Sequence, residues 1–221
     1  MDRVGADFGR AVKEIREVLG GNPVPIELPL NEGEEFGGII DLIEEKLILW
    51  DRDSLGLRFT SYEVPPEKKE AVSTAREEMI DALAEFDEEL IAESVETGNV
   101  ASKTLLRTLR RLTIERKIQP VLCGAAFCNI GIQQLMHTIT HYLPIPLYRP
   151  LFEGYIPQKG AGRGKRATRP VAEEENPLAL VFKVAGDPKI GKLFYLRICS
   201  GAIEDGQSLL NPARQVVEKI D

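Results

Sequence analysis

The sequence predicts a mixed α/β chain that gives way to an all-β stretch, and three observations carry that prediction. Apolar residues recur at three- and four-residue steps in three segments, the pattern of helices with one apolar face. Short runs rich in branched residues lie between those segments. Beyond residue 176 only such runs remain, separated by turns bearing glycine and aspartate.

Taken in order, Phe8, Val12, Ile15 and Leu19 set a first helix, which Gly20 and Gly21 stop. Val24 to Leu30 alternates with prolines and reads as a strand; Gly38 to Trp50 reads as a second strand or a hairpin, and Arg58 to Val64 as a short third. Pro65 and Pro66 open a long helix, because proline suits a first turn and not an interior. Val72, Met79, Leu83, Phe86 and Leu90 make its apolar stripe. Another helix covers roughly residues 101–113, and a short strand covers 120–123. A last helix begins near Gly131, with Ile132, Leu135, Met136, Ile139 and Leu143 on one face, and Pro144 and Pro146 end it. Residues 157–176 mix glycine, proline and charge without an apolar period and read as an exposed linker. Strands are then expected over 178–184, 192–200, 207–211 and 214–220, in the rhythm of a β-barrel or sandwich.

With 221 residues, 43% hydrophobic and 29% charged, the chain has a globular composition that excludes disordered, collagen-like and disulfide-stapled classes. No run approaches 18 apolar residues and no secretory leader is visible, so no membrane partner and a cytoplasmic location are expected. Cys123, Cys128 and Cys199 are an odd set, which fits free thiols in a reducing compartment. The net charge of −7 argues against a surface built as a nucleic-acid footprint.

That average hides two opposed segments. Residues 67–96 hold eleven acids against three bases, a net of −8, whereas residues 101–118 carry +5. Glu78, Asp81, Glu85 and Glu88 project from one polar side of the long helix at helical spacing. Two readings stay open: a solvated face balanced by the basic helix, or a docking surface for a basic partner. The basic helix lacks interleaved aromatics for stacking on single strands, so an internal salt-bridging role is expected for it.

Two chemical motifs fail on spacing. Cys123, Cys128, His137 and His141 give C-x4-C-x8-H-x3-H, whose central gap is too short for a zinc finger, so no metal site is expected. The run Gly160-Ala161-Gly162-Arg163-Gly164-Lys165 lacks the Ser or Thr and the strand–loop–helix context of a phosphate loop. It reads as a flexible basic linker.

A larger pattern runs along the whole chain. Met1-Asp2-Arg3-Val4-Gly5-Ala6-Asp7-Phe8, Gly37-Gly38-Ile39-Ile40-Asp41-Leu42, the turn Leu122-Cys123-Gly124-Ala125-Ala126-Phe127 with Asn129 and Gly131, Tyr142-Leu143-Pro144 with Pro146, and Asp187-Pro188 with Gly191, Leu193, Arg197 and Ser200-Gly201 occur in that order. Together they resemble the middle of bacterial elongation factor G, a ribosomal translocation GTPase. The resemblance implies the C-terminal part of a P-loop-type GTPase domain (1–20 and 119–150), an α+β insertion subdomain (21–118), a linker (151–176) and the truncated start of a β-barrel second domain (177–221).

In that family an N-K-x-D motif grips the guanine base, and Asp2 matches its aspartate. A carboxylate suits the role because it only accepts hydrogen bonds and can take both the ring N–H and the exocyclic amine of guanine. The family's second base-recognition turn, Gly-Ser-Ala, appears here as Gly124-Ala125-Ala126, with the Ala126 N–H implied to face the guanine carbonyl. Ala125 lacks the hydroxyl that helps hold the aspartate, which implies weaker binding.

The phosphate loop, the switch threonine and the D-x-x-G motif with its histidine do not occur in this sequence. Phosphoryl transfer rests on those groups and Mg²⁺, so no residue here is assigned to catalysis and the chain alone is expected not to hydrolyse GTP. GTP or GDP and Mg²⁺ are implied for the parent protein and not for the isolated chain. The implied partners are the ribosome with its RNA and the large-subunit stalk protein, which in the family meets the long helix. Alternatives are another translational GTPase, such as a ribosome-protection or release factor, or a non-catalytic module that binds ribosome or stalk.

Overall fold

A computed structural model describes residues 1–148, 151–158 and 164–220. The described residues form a mixed α/β structure with five α-helices and several small sheets, and the chain divides into two compact units, Met1–Leu143 and Pro144–Asp221. The first unit carries, in chain order, α1 (Phe8–Glu17), β1 (Pro23–Pro25), β2 (Glu27–Pro29), β3 (Gly38–Asp41), β4 (Lys46–Trp50), β5 (Phe59–Glu63), α2 (Pro66–Ala84), α3 (Glu88–Thr97), α4 (Ser102–Ile114), β6 (Gln119–Val121) and α5 (Ile132–Tyr142).

Strands β2, β3, β4 and β5 form an antiparallel meander. Its alternation buries both faces: Ile40 and Leu47 pair across β3 and β4 and join the core under α2, α3 and α4, whereas Ile39 and Ile48 pair one step along and join Phe8, Trp50 and Cys123. The turn between β3 and β4 is tied by Asp41, whose Oδ1 accepts the N–H groups of Ile43 at 2.7 Å and Glu44 at 3.0 Å.

Three expectations change. The single strand read over residues 24–30 divides at Ile26. β1 pairs in parallel with β6 while β2 pairs antiparallel with β3, and Ile26 sits between them, donating to Val121 and accepting from Leu42. The long acidic helix is two helices, α2 and α3. At the break Asp87 takes an extended conformation and its Oδ1 caps α3 by accepting the Leu90 N–H at 3.3 Å. Finally, most of the apolar stripe of α5 does not enter the core: Leu135, Met136, Ile139 and Leu143 are exposed, and the buried residue of the helix is Tyr142, beside that stripe.

The second unit carries β7 (Leu151–Tyr155), β8 (Arg166–Pro170), β9 (Leu178–Asp187), β10 (Gly191–Ser200), β11 (Ser208–Asn211) and β12 (Val216–Lys219). They pair as three antiparallel two-stranded ladders, β7 with β8, β9 with β10 and β11 with β12. The stretch expected as an open linker therefore contains β8, whose backbone pairing with β7 runs from Leu151 opposite Pro170 to Tyr155 opposite Arg166. Residues 160–163 of the glycine-rich run lie outside the described residues. Among the described residues no helix is long and apolar enough to cross a membrane.

Candidate functional site

The chain start and the turn after β6 lie together. The Met1 nitrogen donates to the Gly124 carbonyl at 2.6 Å, and the Met1 carbonyl accepts from Gly33 N–H at 3.0 Å. Asp2 is thereby carried to the 124–126 turn from the far end of the unit's sequence. Its side chain is half-buried, and its Oδ2 lies 3.7 Å from the Cys128 thiol, a weak sulfur donor.

The turn itself is held by its own backbone. Ala125 and Ile130 exchange N–H to carbonyl bonds of 2.9 and 3.1 Å, and Cys128 N–H donates to Ala125 at 3.0 Å. Gly124 is required by this close approach, because a Cβ there would stand 2.8 Å from the Ile130 carbonyl oxygen. Ala125 is buried and Ala126 exposed, so the turn offers Ala126 to solvent. Asn129, with φ of 55°, reverses the chain into α5, and its side-chain amide donates to the Leu55 carbonyl at 2.9 Å.

The acidic group is placed on two elements. Glu78 and Asp81 lie on α2, Glu85 caps its C-terminal end, and Glu88 opens α3, so Glu88 does not continue the helical spacing of the other three. All four are exposed, and among the described residues none forms a salt bridge. The basic helix pairs elsewhere: Arg107 with Glu89 at 2.9 Å and Arg111 with Asp87 at 2.7 Å.

Cys123, Cys128, His137 and His141 do not assemble, and among the described residues no group of three or more His, Cys, Asp or Glu is arranged to hold a metal ion. His137 and His141 instead meet edge to face, 5.0 Å apart. Cys123 is buried, which pushes its thiol above the ordinary range.

No family model matches this chain. Among solved structures it is similar to a protein from Thermus thermophilus known by crystal structure, with a TM-score of 0.70 and 29% identity over 98% of this chain and 28% of that one. The chain thus spans little more than a quarter of the length of that relative.

Sequence reading placed Asp2 beside Gly124, Ala125 and Ala126 only through the family resemblance. It missed Cys128 as the group in contact with Asp2. No local pattern signals that contact, since the two residues are 126 positions apart.

Proposed function

We propose that this chain is a central portion of an elongation factor G-like translation factor, with the end of a GTPase domain, its inserted subdomain and the start of a β-barrel. The observation that carries this reading is the meeting of Asp2 with the 124–126 turn. Asp2 supplies acceptors for the ring N–H and exocyclic amine of guanine, and the exposed Ala126 N–H is the donor for its carbonyl oxygen. Adenine offers the opposite pattern at those edges, so the pair selects guanine. Cys128 positions the carboxylate where the family uses a hydroxyl. In the parent protein GTP hydrolysis drives ribosomal translocation, and the residues of this chain serve base selection only.

The test is NMR titration of the chain with nucleoside diphosphates. Without the phosphate loop the isolated chain is not expected to hold guanosine diphosphate more tightly than about 10 μM, so the response is read at millimolar nucleotide, where guanosine diphosphate should perturb the amide signals of residues 124–126 and adenosine diphosphate should leave them in place. Asp2→Ala should abolish the response. Equal shifts from both nucleotides would refute the assignment.

A second reading is favoured by the four exposed acids without ion pairs: the α2 and α3 face docks a basic partner, which for this family is the ribosomal stalk protein. Labelled stalk protein should bind more weakly to a variant with Asp81, Glu85 and Glu88 neutralised. Unchanged affinity would remove this role.

A further inference from the structure

The second unit is built without an apolar core of its own. Among the described residues every buried apolar side chain lies in the first unit, and β9 and β10 pair with each other and with no third strand. Two strands alone are marginal in water, and a ladder of this kind gains stability only when one of its faces is covered.

Register decides which face that is. Phe194 pairs with Val184, Leu196 with Val181 and Ile198 with Ala179, so the three pairs stand at two-residue steps along β10 and share one face. The register shifts between the first two pairs and leaves Phe182 without a partner, a bulge that sends it to the other face with Lys183. There the Phe182 ring meets Tyr195 edge to face at 6.4 Å, and Lys183 Nζ lies 5.1 Å from the centre of the Tyr195 ring. The first face carries no charged residue between Phe194 and Ile198, yet Phe194, Val184, Ile198 and Val181 are 60%, 54%, 49% and 48% exposed.

We propose that this face is a homodimer interface, on which a second copy of the chain lies face to face about a two-fold axis. Both rows taper in the same direction, Phe194 to Ile198 on β10 and Val184 to Ala179 on β9. A two-fold turn sets the wide end of one copy on the narrow end of the other, with Leu196 against its own copy, so the surface is complementary to itself. With whole side chains of about 150–200 Å², the exposed parts of this face and its rim amount to about 500 Å² per copy, and the roughly 1,000 Å² covered in all is the size of a weak, reversible association. No residue of the guanine site takes part.

Sedimentation equilibrium of the full chain between about 5 and 500 μM tests this, with a dissociation constant of about 10–100 μM expected. The mass should rise from the 24.6 kDa of one chain toward twice that value. Phe194→Asp on β10 and Val184→Asp on β9 should each weaken association at least about tenfold, because each would bury an unpaired charge. Met136→Lys, in the exposed stripe of α5, should leave it unchanged. A chain that stays at the mass of one copy would overturn the proposal, as would association that survives both aspartate variants or is lost with Met136→Lys. Mass growing beyond two copies would overturn the two-fold closure. Should either aspartate variant lose its strand signal in circular dichroism, the other and the mass of the unaltered chain decide.

Discussion

Arg111 holds the Asp87 carboxylate at 2.7 Å, and that pair fixes where one acidic helix ends and the next begins. Asp87 also accepts the Thr108 hydroxyl at 2.7 Å and caps α3, so one carboxylate ties α3 to α4. Burial pushes its carboxyl up, but the Thr108 and Arg111 hydrogen bonds outweigh burial and hold it below its ordinary value. Asp87→Ala should therefore lower stability by about 2 kcal/mol at neutral pH, as a lost cap together with a half-exposed ion pair. Because the folded-state value is depressed, this contribution is present above the unfolded value near 3.8 and is lost as pH falls through the folded one. Chemical denaturation at neutral pH and in acid checks it: the variant and the parent should converge in acid.

Glu27 reverses the sign. Burial raises its pKa from 4.5 to about 8, with Asp41 adding repulsion against the lowering effect of the Cys123 N–H. On α5, burial raises Tyr142, and Asp41 and Glu27 add to the rise. A raised folded-state value means that stability is full below 4.5 and is lost as pH climbs through about 8, by up to ~1.4 kcal/mol per pH unit. Glu27→Gln should flatten the pH dependence over that window and leave the smaller slope due to Asp41, which is also raised. Thermal melts from acid to alkaline pH would show no change in slope if Glu27 were already ionised in the folded chain.

Two glycines separate backbone conformation from space. Gly98 ends α3 with φ of 69° and a Cβ there would meet nothing within 4 Å, so Gly98→Ala should cost only the left-handed penalty, about 1 kcal/mol. Gly131 has φ of 81° and a Cβ there would stand 2.8 Å from the Cys123 carbonyl oxygen and 3.0 Å from Ile39. Gly131→Ala should cost clearly more, about 2–4 kcal/mol, and should disturb the 124–126 turn that packs against it. Urea midpoints of the two variants test the ordering, and equal losses would show that the backbone around Gly131 yields freely.

What could be read from the sequence follows from how local its cause is. The helix read over about residues 101–113 is observed as α4, and its cause is local, since Leu105, Leu109 and Leu112 stand at helical steps and are all fully buried. The break before α3 was not legible, because Glu85-Phe86-Asp87 contains neither glycine nor proline and the Asp87 cap is braced by Thr108 and Arg111, more than 20 residues later. Periodicity gave α5 two faces but could not say which one the sheet would take. For β1 and β2 the division at Ile26 depends on β6, almost 100 residues distant. The site shows the same limit: Gly124 signals a tight turn by itself, whereas its meeting with Asp2 is tertiary.

The acidic face carries a cost in its own helix. Asp81 lies in the last turn of α2 and Glu85 at its C-terminal cap, no basic residue offsets them in that turn, and Glu78, Asp81 and Glu85 repel at three- and four-residue steps. None has an ion pair among the described residues to repay it. Replacing the three with Gln, Asn and Gln should therefore raise stability by about 0.5–1 kcal/mol at low salt, with the gain shrinking as salt screens the repulsion. A loss instead would mean that these carboxylates serve the fold. A gain, measured by denaturant titration at two salt concentrations, would mean that the chain holds charge there against its own stability, as a surface kept for a basic partner requires.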